Sequence, residues 1–519
     1  MKIQKKKLKY MMLIGCLLNI LIYKAVLYHS FPFSSNYSIR ANTVRLSDWR
    51  EQITLDVDGH PYSVFVGDVN NDGFNDIVTA DFYSDWEVGI LLWNDVIKDW
   101  NPLVQKNVGP HPVYAVIADA NNDGFNDIIA TNLNYDEVAI LLWNNTAQDW
   151  DPKITRVMGD YPISVCVGDI NDDDFNDIVT TNIKDDDISI LTWNDTSKDW
   201  DPRIDVLVGN FPNSVAINDA DNDLQNEIMV ANYDASVLVL SWNDTSKTWY
   251  IDETLLAGKD PKSVICDDMN NDGYNDIVVA CEDDDQVSIF LWNDNIGDWD
   301  SEIKKDVGRS PRSVHVGDAN NDGFNDITTA NRVDYSVSVL CWNDVLGDWD
   351  SEITKDVGVE PSGVFINDAD NDGKNDIVTS NQIDNTVSIL SWTLDAPHLE
   401  FITPDPDHDG SITLNWDDVY GATIYYIYEA NQSIQSIENM APISSTTTSI
   451  FHDSKLKNGE YWYIVVAGDG VRNSSASNMV SVVVSLTTLI SGYITLPFIF
   501  TCIIIIVKIS IKLKYKRHT

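Results

Sequence analysis

Seven short acidic segments recur along the chain, spaced 49 to 51 residues apart. The first runs from Asp68 to Asp76 and places side-chain oxygens at its positions 1, 3, 5 and 9, with glycine at position 6. Oxygens on alternate residues of a tight loop suit Ca²⁺, which takes roughly six to eight oxygen ligands, and glycine permits the sharp turn. Position 12, where an EF-hand has Glu, is Thr79. The pattern therefore predicts a calcium loop between two strands rather than an EF-hand.

The predicted metal ligands are the residues at positions 1, 3, 5 and 9 of all seven loops, and we expect about five to seven Ca²⁺ ions. Loop 4 is expected to bind weakly or not at all, because Leu224 stands at the glycine position and Glu227 replaces the last aspartate. Asp174 takes the glycine position in loop 3, and aspartate tolerates a left-handed turn. The alternative is that the loops are solvated Asn/Asp turns without an ion. The ligands of loops 1, 2, 3, 5, 6 and 7 are Asp68, Asn70, Asp72, Asp76, Asp119, Asn121, Asp123, Asp127, Asp169, Asn171, Asp173, Asp177, Asp268, Asn270, Asp272, Asp276, Asp318, Asn320, Asp322, Asp326, Asp368, Asp370, Asp372 and Asp376, and those of loop 4 are Asp219, Asp221, Asp223 and Glu227.

Each acidic loop belongs to a repeat that reads as four short strands. In the sixth repeat, residues 313–317 lead into the loop, residues 326–330 leave it, and residues 336–342 and 349–357 follow as two further β-rich runs. β-Branched residues in alternation, separated by Asn, Asp and Gly, are typical of strands and turns. Two tryptophan series accompany the loops: Trp93, Trp143, Trp193, Trp242, Trp292, Trp342 and Trp392 after them, and Trp49, Trp100, Trp150, Trp200, Trp249, Trp299 and Trp349 before them.

Four strands in a repeat of this length indicate one blade of a β-propeller. The sequence therefore predicts a seven-bladed propeller over residues 48–394. The last repeat stops after its third strand, whereas residues 48–57 match a fourth strand. We expect residues 48–57 to complete blade seven as its closing strand.

The repeat resembles the FG-GAP/VCBS class, the calcium-loop propeller that also occurs in the heads of integrin α-subunits. The resemblance rests on the loop pattern at residues 67–77 and 317–327, followed in the sixth repeat by residues 329–331 and 337–340. It implies calcium sites on one face of the propeller and ligand binding on the opposite face. Because one fold hosts many functions, the resemblance implies more about fold than about function.

Residues 397–485 have fewer tryptophans and more Ser and Thr than the repeats. They resemble a fibronectin type III domain, in which Trp416 would be the core tryptophan and Tyr461 the corner tyrosine. The predicted fold class is thus all-β, a seven-bladed propeller followed by a β-sandwich, with a signal or anchor segment before it and a transmembrane helix after it.

The two ends of the chain are basic and apolar, whereas the middle is acidic. Residues 1–30 combine a lysine-rich start with an apolar run and predict a signal peptide or signal anchor. Residues 486–507 carry no charge and are long enough to span a bilayer, and the basic residues 508–519 predict a cytoplasmic tail. The sequence therefore predicts a single-pass cell-membrane protein with extracellular N-terminal domains.

The formal net charge of −47 disfavours nucleic acid as a partner. No nucleophile elbow, HExxH pattern or phosphate loop occurs, so an enzyme is not expected, although a carboxylate pair of a polysaccharide lyase or hydrolase stays open. The favoured function is calcium-dependent recognition or adhesion of an extracellular protein or glycan, and a structural surface-layer role is the other alternative. The predicted ligand-binding residues, on the face opposite the calcium loops, are Trp86, His111, Tyr135, Tyr161, Phe211, Tyr233, Arg312, Arg332 and Tyr335. The alternative is that these loops vary only because nothing constrains them.

Overall fold

The computed structural model describes residues 49–50, 52–83, 86–392 and, between 397 and 486, all residues except 401, 403–406, 418, 420–421, 435, 438–439, 469–473 and 475. All of them belong to the second of two compact units, Arg45–Thr519, while the first unit, Met1–Val44, lies outside the described residues. Within the described part, the only helical element is a single 3-10 turn at Glu282–Asp284, and the rest of the regular structure is β-strand. The predicted all-β class is confirmed.

Seven four-stranded antiparallel sheets follow one another, one for each acidic loop, and we number sheets and loops alike. In every sheet the first strand leads into the acidic loop and the second strand leaves it. The first strands are Pro61–Gly67, Pro112–Ala118, Pro162–Gly168, Pro212–Asn218, Pro261–Asp267, Pro311–Gly317 and Pro361–Asn367; the second are Asp76–Asp81, Asp127–Asn132, Asp177–Asn182, Glu227–Asn232, Asp276–Cys281, Asp326–Asn331 and Asp376–Asn381; the third are Glu87–Leu91, Glu137–Leu141, Asp187–Leu191, Ser236–Asn243, Gln286–Phe290, Ser336–Leu340 and Thr386–Ser391; the fourth are Val104–Asn107, Ile154–Val157, Ile204–Leu207, Thr248–Leu256, Ile303–Asp306, Ile353–Asp356 and, for sheet 7, Ile53–Asp56.

Burial changes across each sheet, from its central strands to its edge. The second strands are buried along their whole length, and their Val and Ile residues, such as Ile77 and Val78, fill the space between neighbouring sheets. β-Branched side chains suit this position because they pack well on a pleated surface. Most fourth strands instead alternate partly buried and exposed residues, as expected for an edge strand with one face on the core.

The earliest strand of the repeats completes the last sheet. Ile53–Asp56 pairs antiparallel with Thr386–Ser391 and sets Ile53 opposite Ile389. The first strand of each sheet contacts the first strands of the sheets before and after it, and the first strand of sheet 7 contacts that of sheet 1. The contacts between sheets therefore close into a cycle, in a β-propeller-like arrangement that joins the two ends of the repeat region.

A tryptophan pair accompanies the third and fourth strands of every sheet, beyond their ends in six sheets and within them in sheet 4. Trp93 and Trp100 face each other across a two-residue ladder, with ring centroids 4.9 Å apart and ring planes at 78°. This edge-to-face geometry is favourable for aromatic rings. In sheet 7 the partners are Trp49 and Trp392, also 4.9 Å apart, so the pair joins the two ends of the repeat region. The ladders are Trp93–Asn94 with Asp99–Trp100, Trp143–Asn144 with Asp149–Trp150, Trp193–Asn194 with Asp199–Trp200, Trp292–Asn293 with Asp298–Trp299, and Trp342–Asn343 with Asp348–Trp349; in sheet 4 they merge with the long third and fourth strands.

The residues after the repeats form two antiparallel sheets around one core. Trp416 and Tyr425 are buried in it with ring centroids 5.4 Å apart. The Tyr461 hydroxyl donates to the backbone carbonyl of Lys457 at 3.1 Å. The fibronectin type III assignment itself stays a prediction. One sheet pairs Ser411–Asn415 with Ile450–Ser454, and the other has the order Ser444–Thr446, Ile424–Ala430, Gly459–Gly468 and Val480–Val484.

The predicted localisation needs correction. No helix in the described part of the chain is long and apolar enough to cross a membrane, so the prediction of a single-pass membrane protein is wrong on this finding. Apart from Leu486, the segment 486–507 lies outside the described residues, as do the N-terminal segment 1–30 and the basic tail 508–519.

Candidate metal centre

The first carboxylate of each acidic loop organises the turn. In loop 1 the two carboxylate oxygens of Asp68 accept the backbone N–H groups of Asp72 and Gly73, at 2.9 and 2.8 Å. The Asn70 side chain also accepts the Asp72 N–H, at 2.9 Å, and the Asp72 side chain accepts the N–H of Phe74 at 3.0 Å. The bonds from the first carboxylate recur in all seven loops. The oxygens of positions 1, 3 and 5 in loop 1 therefore accept hydrogen bonds from the loop's own backbone.

The carboxylate at position 9 begins the second strand and is buried. Its oxygens in loop 1, on Asp76, accept the N–H groups of Trp93 at 2.8 Å and Val69 at 3.2 Å. Burial, together with the neighbouring carboxylates of Asp72 and Asp68, raises the pKa of Asp76 to about 7, although these hydrogen bonds act in the opposite direction. A bound divalent cation relieves such crowding of buried acids. Burial likewise raises the pKa to about 7 at Asp127 and Asp376, and to about 8 at Asp177, Glu227 and Asp276.

Position 6 has a left-handed backbone in every loop. The five glycines there have φ between 87° and 93°, and a Cβ on Gly73 would meet nothing within 4 Å. Asp174 and Leu224 adopt the same region, with φ of 67° and 79°. A side chain in this region costs about 1–2 kcal/mol, so loop 4 holds a strained turn. The Leu224 N–H nevertheless donates to the first carboxylate of loop 4, at 3.0 Å, as the glycines do.

Loops 4 and 7 gather three carboxylates that could hold a metal ion. Both have Asp at position 3, where the other five loops have Asn. Loop 4, which is expected to bind weakly, therefore has a carboxylate geometry like that of loop 7. Its Glu227 accepts the N–H of Ala220 at 2.9 Å, as the aspartates at position 9 of other loops do. All donors are oxygens, which suits a hard cation such as Ca²⁺. Ligation by the predicted residues stays a prediction in all seven loops. The carboxylate oxygens lie within 4.8 Å of one another for Asp219, Asp221 and Glu227, and for Asp368, Asp370 and Asp376.

An arginine side chain reaches the carboxylates of loop 7. The Arg50 guanidinium lies 3.4 Å from the Asp370 carboxylate and 3.1 Å from that of Asp372. Arg50 follows Trp49, so the segment that closes sheet 7 also supplies a positive charge to its loop. The corresponding residues of the other six repeats are Asn101, Asp151, Asp201, Tyr250, Asp300 and Asp350, none of which is basic.

Asparagines at positions 4 and 8 of the loops, which the sequence reasoning overlooked, join neighbouring loops. The Asn71 side chain of loop 1 accepts the N–H of Asn126 in loop 2 at 2.8 Å and donates to its carbonyl at 3.1 Å. The Asn126 side chain donates in turn to the carbonyl of Asp68 at 2.9 Å. Position 8 is Asn in all seven loops and position 4 in six, a regularity that could have revealed them. They act as positioning residues, because they hold the backbone next to the predicted ligands.

The end of each sheet opposite the acidic loop repeats its backbone but not its side chains. The residue before every first strand has φ between 49° and 68°, and a residue before every third strand has φ between 52° and 80°. Side-chain oxygens hold some of these turns; Asp186, for example, accepts the N–H of Phe211 at 2.9 Å. The two series are His60, His111, Tyr161, Phe211, Asp260, Ser310 and Glu360, and Trp86, Asp136, Asp186, Ala235, Asp285, Tyr335 and Asn385.

The nine predicted ligand-binding residues all lie at this end. Five are exposed aromatics: Trp86 at 53%, Tyr135 at 57%, Phe211 at 50%, Tyr233 at 52% and Tyr335 at 43% exposure. The other four have partners within the protein. These are Arg312 with Glu282, Arg332 with Glu360, Tyr161 beneath the Lys184 ammonium, and His111 against the ring of Phe82.

Comparison with known proteins supports the repeat assignment over part of the chain. Residues 268–329, from loop 5 into sheet 6, match the family model described as an FG-GAP-like repeat. A search of curated proteins found no match.

Solved structures resemble the chain only weakly. BBS1N in its complex with ARL6DN is 13% identical and aligns over 66% of this chain and 97% of its own, with a TM-score of 0.47. A candidate 6-phosphogluconolactonase from Bacteroides fragilis is 14% identical and aligns over 58% of this chain and 86% of its own, with a TM-score of 0.45. A Lactobacillus plantarum protein is 11% identical over 58% of this chain and 86% of its own, with a TM-score of 0.41. Such low scores carry no argument about function.

Proposed function

We propose that the chain is a calcium-stabilised recognition protein. In this proposal the seven sheets are the blades of a propeller over residues 48–394, with residues 48–57 closing blade seven. The acidic loops hold about five to seven Ca²⁺ ions through their oxygen ligands. The opposite end of the blades binds an extracellular protein or glycan.

The contrast between the two ends of the sheets carries the proposal. At the loop end, backbone and side chains both repeat, which suits a shared structural task. At the other end, the left-handed turns repeat while their side chains differ from sheet to sheet. Turns of this kind favour glycine or asparagine, because other residues adopt a left-handed backbone at a cost. The presence of Trp, Tyr and Phe at these left-handed positions suggests that their side chains have a role outside the turn.

Exposed aromatic rings are suited to binding a protein or a sugar. Phe211 and Tyr233 pack edge to face with centroids 6.1 Å apart, and the Lys262 ammonium lies 5.9 Å from the Tyr233 ring. Aromatic side chains contribute a large contact area and lose little conformational freedom on binding. Tyr, Trp and Arg are also the residues in which binding energy concentrates at interfaces.

The calcium part of the proposal rests on charge. The loops concentrate carboxylates at one end of the sheets, and burial leaves the position 9 acids with a raised pKa. Divalent cations would neutralise these groups and tie the first and second strands of each sheet together. Removing calcium is therefore expected to loosen the loop end and, through the sheets, to weaken ligand binding.

Ligand screening of the full chain tests the proposal. The chain would be applied to glycan and protein arrays in calcium, and hits would be measured again with Trp86→Ala and with the double variant Phe211→Ala and Tyr233→Ala. We expect at least a tenfold loss of affinity, about 1.4 kcal/mol. Val345→Ala is the matched control, since Val345 is 80% exposed in a hairpin outside this end. If Val345→Ala lost as much affinity as Trp86→Ala and the double variant, binding at this end would be refuted.

A further inference from the structure

The hydrogen bonds between acidic loops connect the candidate metal sites to one another. We propose that the asparagines at positions 4 and 8 couple all seven loops around the cycle of sheets, and that the coupling is interrupted between loop 3 and loop 4. The metal-dependent part of this inference rests on the proposed function, because it concerns the regulation of the same loops.

The bridges attach directly to the predicted ligands. Asn71 lies between the ligands Asn70 and Asp72, and the Asn126 amide bonds to the carbonyl of Asp68, itself a ligand. Asn126 also immediately precedes the ligand Asp127. A cation that orders loop 1 therefore orders the groups that hold loop 2, and the reverse must hold as well, because coupling between two sites is reciprocal.

The same three bonds recur at six of the seven junctions, with donor–acceptor distances of 2.7 to 3.3 Å. One of the six joins loop 7 to loop 1, so the bridges cross the point where the chain closes on itself. The other bridging pairs are Asn122 with Asn176, Asn222 with Asn275, Asn271 with Asn325, Asn321 with Asn375, and Asn371 with Asn75.

The junction between loops 3 and 4 lacks two of the three bonds. Asp172 occupies position 4 of loop 3, and an ionised carboxylate cannot donate the hydrogen bond that an amide gives to a carbonyl. Within the described residues, its side chain makes no hydrogen bond to Asn226 of loop 4. The amide of Asn226 still donates to the carbonyl of Asp169 at 2.7 Å. Loops 3 and 4 are also the two loops without glycine at position 6.

Because of the incomplete junction, the series of bridged loops has two ends, loop 4 and loop 3. A loop that loses its cation loosens the asparagines that hold its neighbours, and the neighbours loosen in turn. The effect runs from loop 4 through loops 5, 6, 7, 1 and 2 to loop 3, and it weakens sharply at the junction between loops 3 and 4. Cation binding along this path is therefore cooperative, whereas loops 3 and 4 respond little to each other.

Hydrogen exchange of the full chain, with and without Ca²⁺, measures the path of the coupling. Asp322→Ala in loop 6 and Asp173→Ala in loop 3 each remove the position 5 ligand. We expect Asp322→Ala to speed exchange in loops 5 and 7 as well as loop 6, by about threefold or more. Asp173→Ala should affect loops 3 and 2 but leave loop 4 nearly unchanged. Effects confined to the altered loop, or an equal response of loops 2 and 4 to Asp173→Ala, would overturn the proposal.

A second pair of variants tests the bridges without metal. Asn321→Asp reproduces in loop 6 the residue of loop 3, and Asp172→Asn supplies the missing donor. In chelator, Asn321→Asp should speed hydrogen exchange of the backbone N–H of Asn375. Asp172→Asn should slow exchange of the backbone N–H of Asn226. Each change should be about threefold or more. Unchanged exchange in both cases contradicts the coupling.

The same exchange data separate the two proposals. Asn107→Asp and Asp306→Asn, at exposed ends of fourth strands, are the matched controls for charge. If Ca²⁺ protects no loop, the calcium part of the proposed function fails, while the bridges are still judged by the Asn375 and Asn226 amides in chelator. If Ca²⁺ protects every loop independently, the calcium proposal stands and the coupling fails.

Discussion

Replacing Leu224 by glycine is expected to stabilise loop 4. Leu224 has φ of 79° and is 91% exposed, so it adds backbone strain and little packing. A side chain in the left-handed region costs about 1–2 kcal/mol, whereas glycine loses about 0.5–1 kcal/mol more conformational entropy on folding. The difference favours glycine by about 0.5–1 kcal/mol in the free energy of opening the loop.

The reverse substitution is the matched control. Gly73 has φ of 91°, and a Cβ added there would meet nothing within 4 Å. Gly73→Leu should therefore cost only conformational strain, and destabilise loop 1 by a similar amount. The two variants exchange the same pair of residues at equivalent positions, so their effects should be opposite in sign.

Native-state hydrogen exchange of the position 6 amides measures both effects. These amides donate to the first carboxylate of their loop, at 3.0 Å for Leu224 and 2.8 Å for Gly73. After correction for intrinsic rates, we expect exchange about two- to fivefold slower in Leu224→Gly and faster by the same factor in Gly73→Leu. Unchanged or faster exchange in Leu224→Gly would refute the strain argument. If Gly73→Leu destabilised loop 1 by well above ~2 kcal/mol, the added side chain would be meeting neighbouring atoms, and the conclusion that the space around Gly73 is open would be wrong.

Three further predictions follow from single side chains. Trp392→Ala removes a side chain that is 8% exposed and should lower the free energy of unfolding by about 3–5 kcal/mol. A protease should then cut the variant within residues 49–57. The control variant Trp342→Ala should show no such cut. Arg50→Gln removes the charge that competes for loop 7, so calcium affinity measured by calorimetry should rise, and a fall would mean that Arg50 orders the loop. Burial lowers the pKa of His315 to about 4. Because the pKa of His315 in the unfolded chain is ~6.5, the free energy of unfolding should fall as pH drops from 6.5 towards 4, by at most about 2 kcal/mol at pH 5. The urea midpoint of His315→Phe should lack this part of the pH dependence. Equal acid sensitivity of the variant and the unaltered protein would contradict the prediction.

The repeating parts of the fold could be read from the sequence because they depend on local patterns. Alternating β-branched residues and Asn/Asp/Gly turns indicated strands at 50-residue intervals, and the structure has a four-stranded sheet at each acidic loop. The loop pattern also indicated where carboxylates gather, as loops 4 and 7 show. The membrane prediction was wrong on the finding that no helix in the described part of the chain has the length and apolarity to cross a membrane.

Residue types left open how the carboxylates of loop 4 are arranged, and the expectation of weak binding there stays a prediction. Leu224 and Glu227 depart from the pattern of the other loops, and both changes suggested a poor site. In the structure the longer Glu227 side chain still reaches the N–H of Ala220, and the carboxylates converge as in loop 7. Convergence depends on the path of the backbone between two paired strands, which a residue pattern does not specify.

The repeat, the strand-forming segments, the oxygen-rich loops and the turn that needs a left-handed residue follow from the sequence, since each depends on neighbours within a few positions. Which distant groups meet depends on the folded chain. The Asn71 bridge spans 55 residues, the Trp49 and Trp392 rings meet across the whole repeat region, and Arg50 reaches Asp372 of loop 7. Such contacts form because the closed cycle of sheets places each loop beside its neighbour and the last sheet beside the first, and no local pattern specifies that geometry.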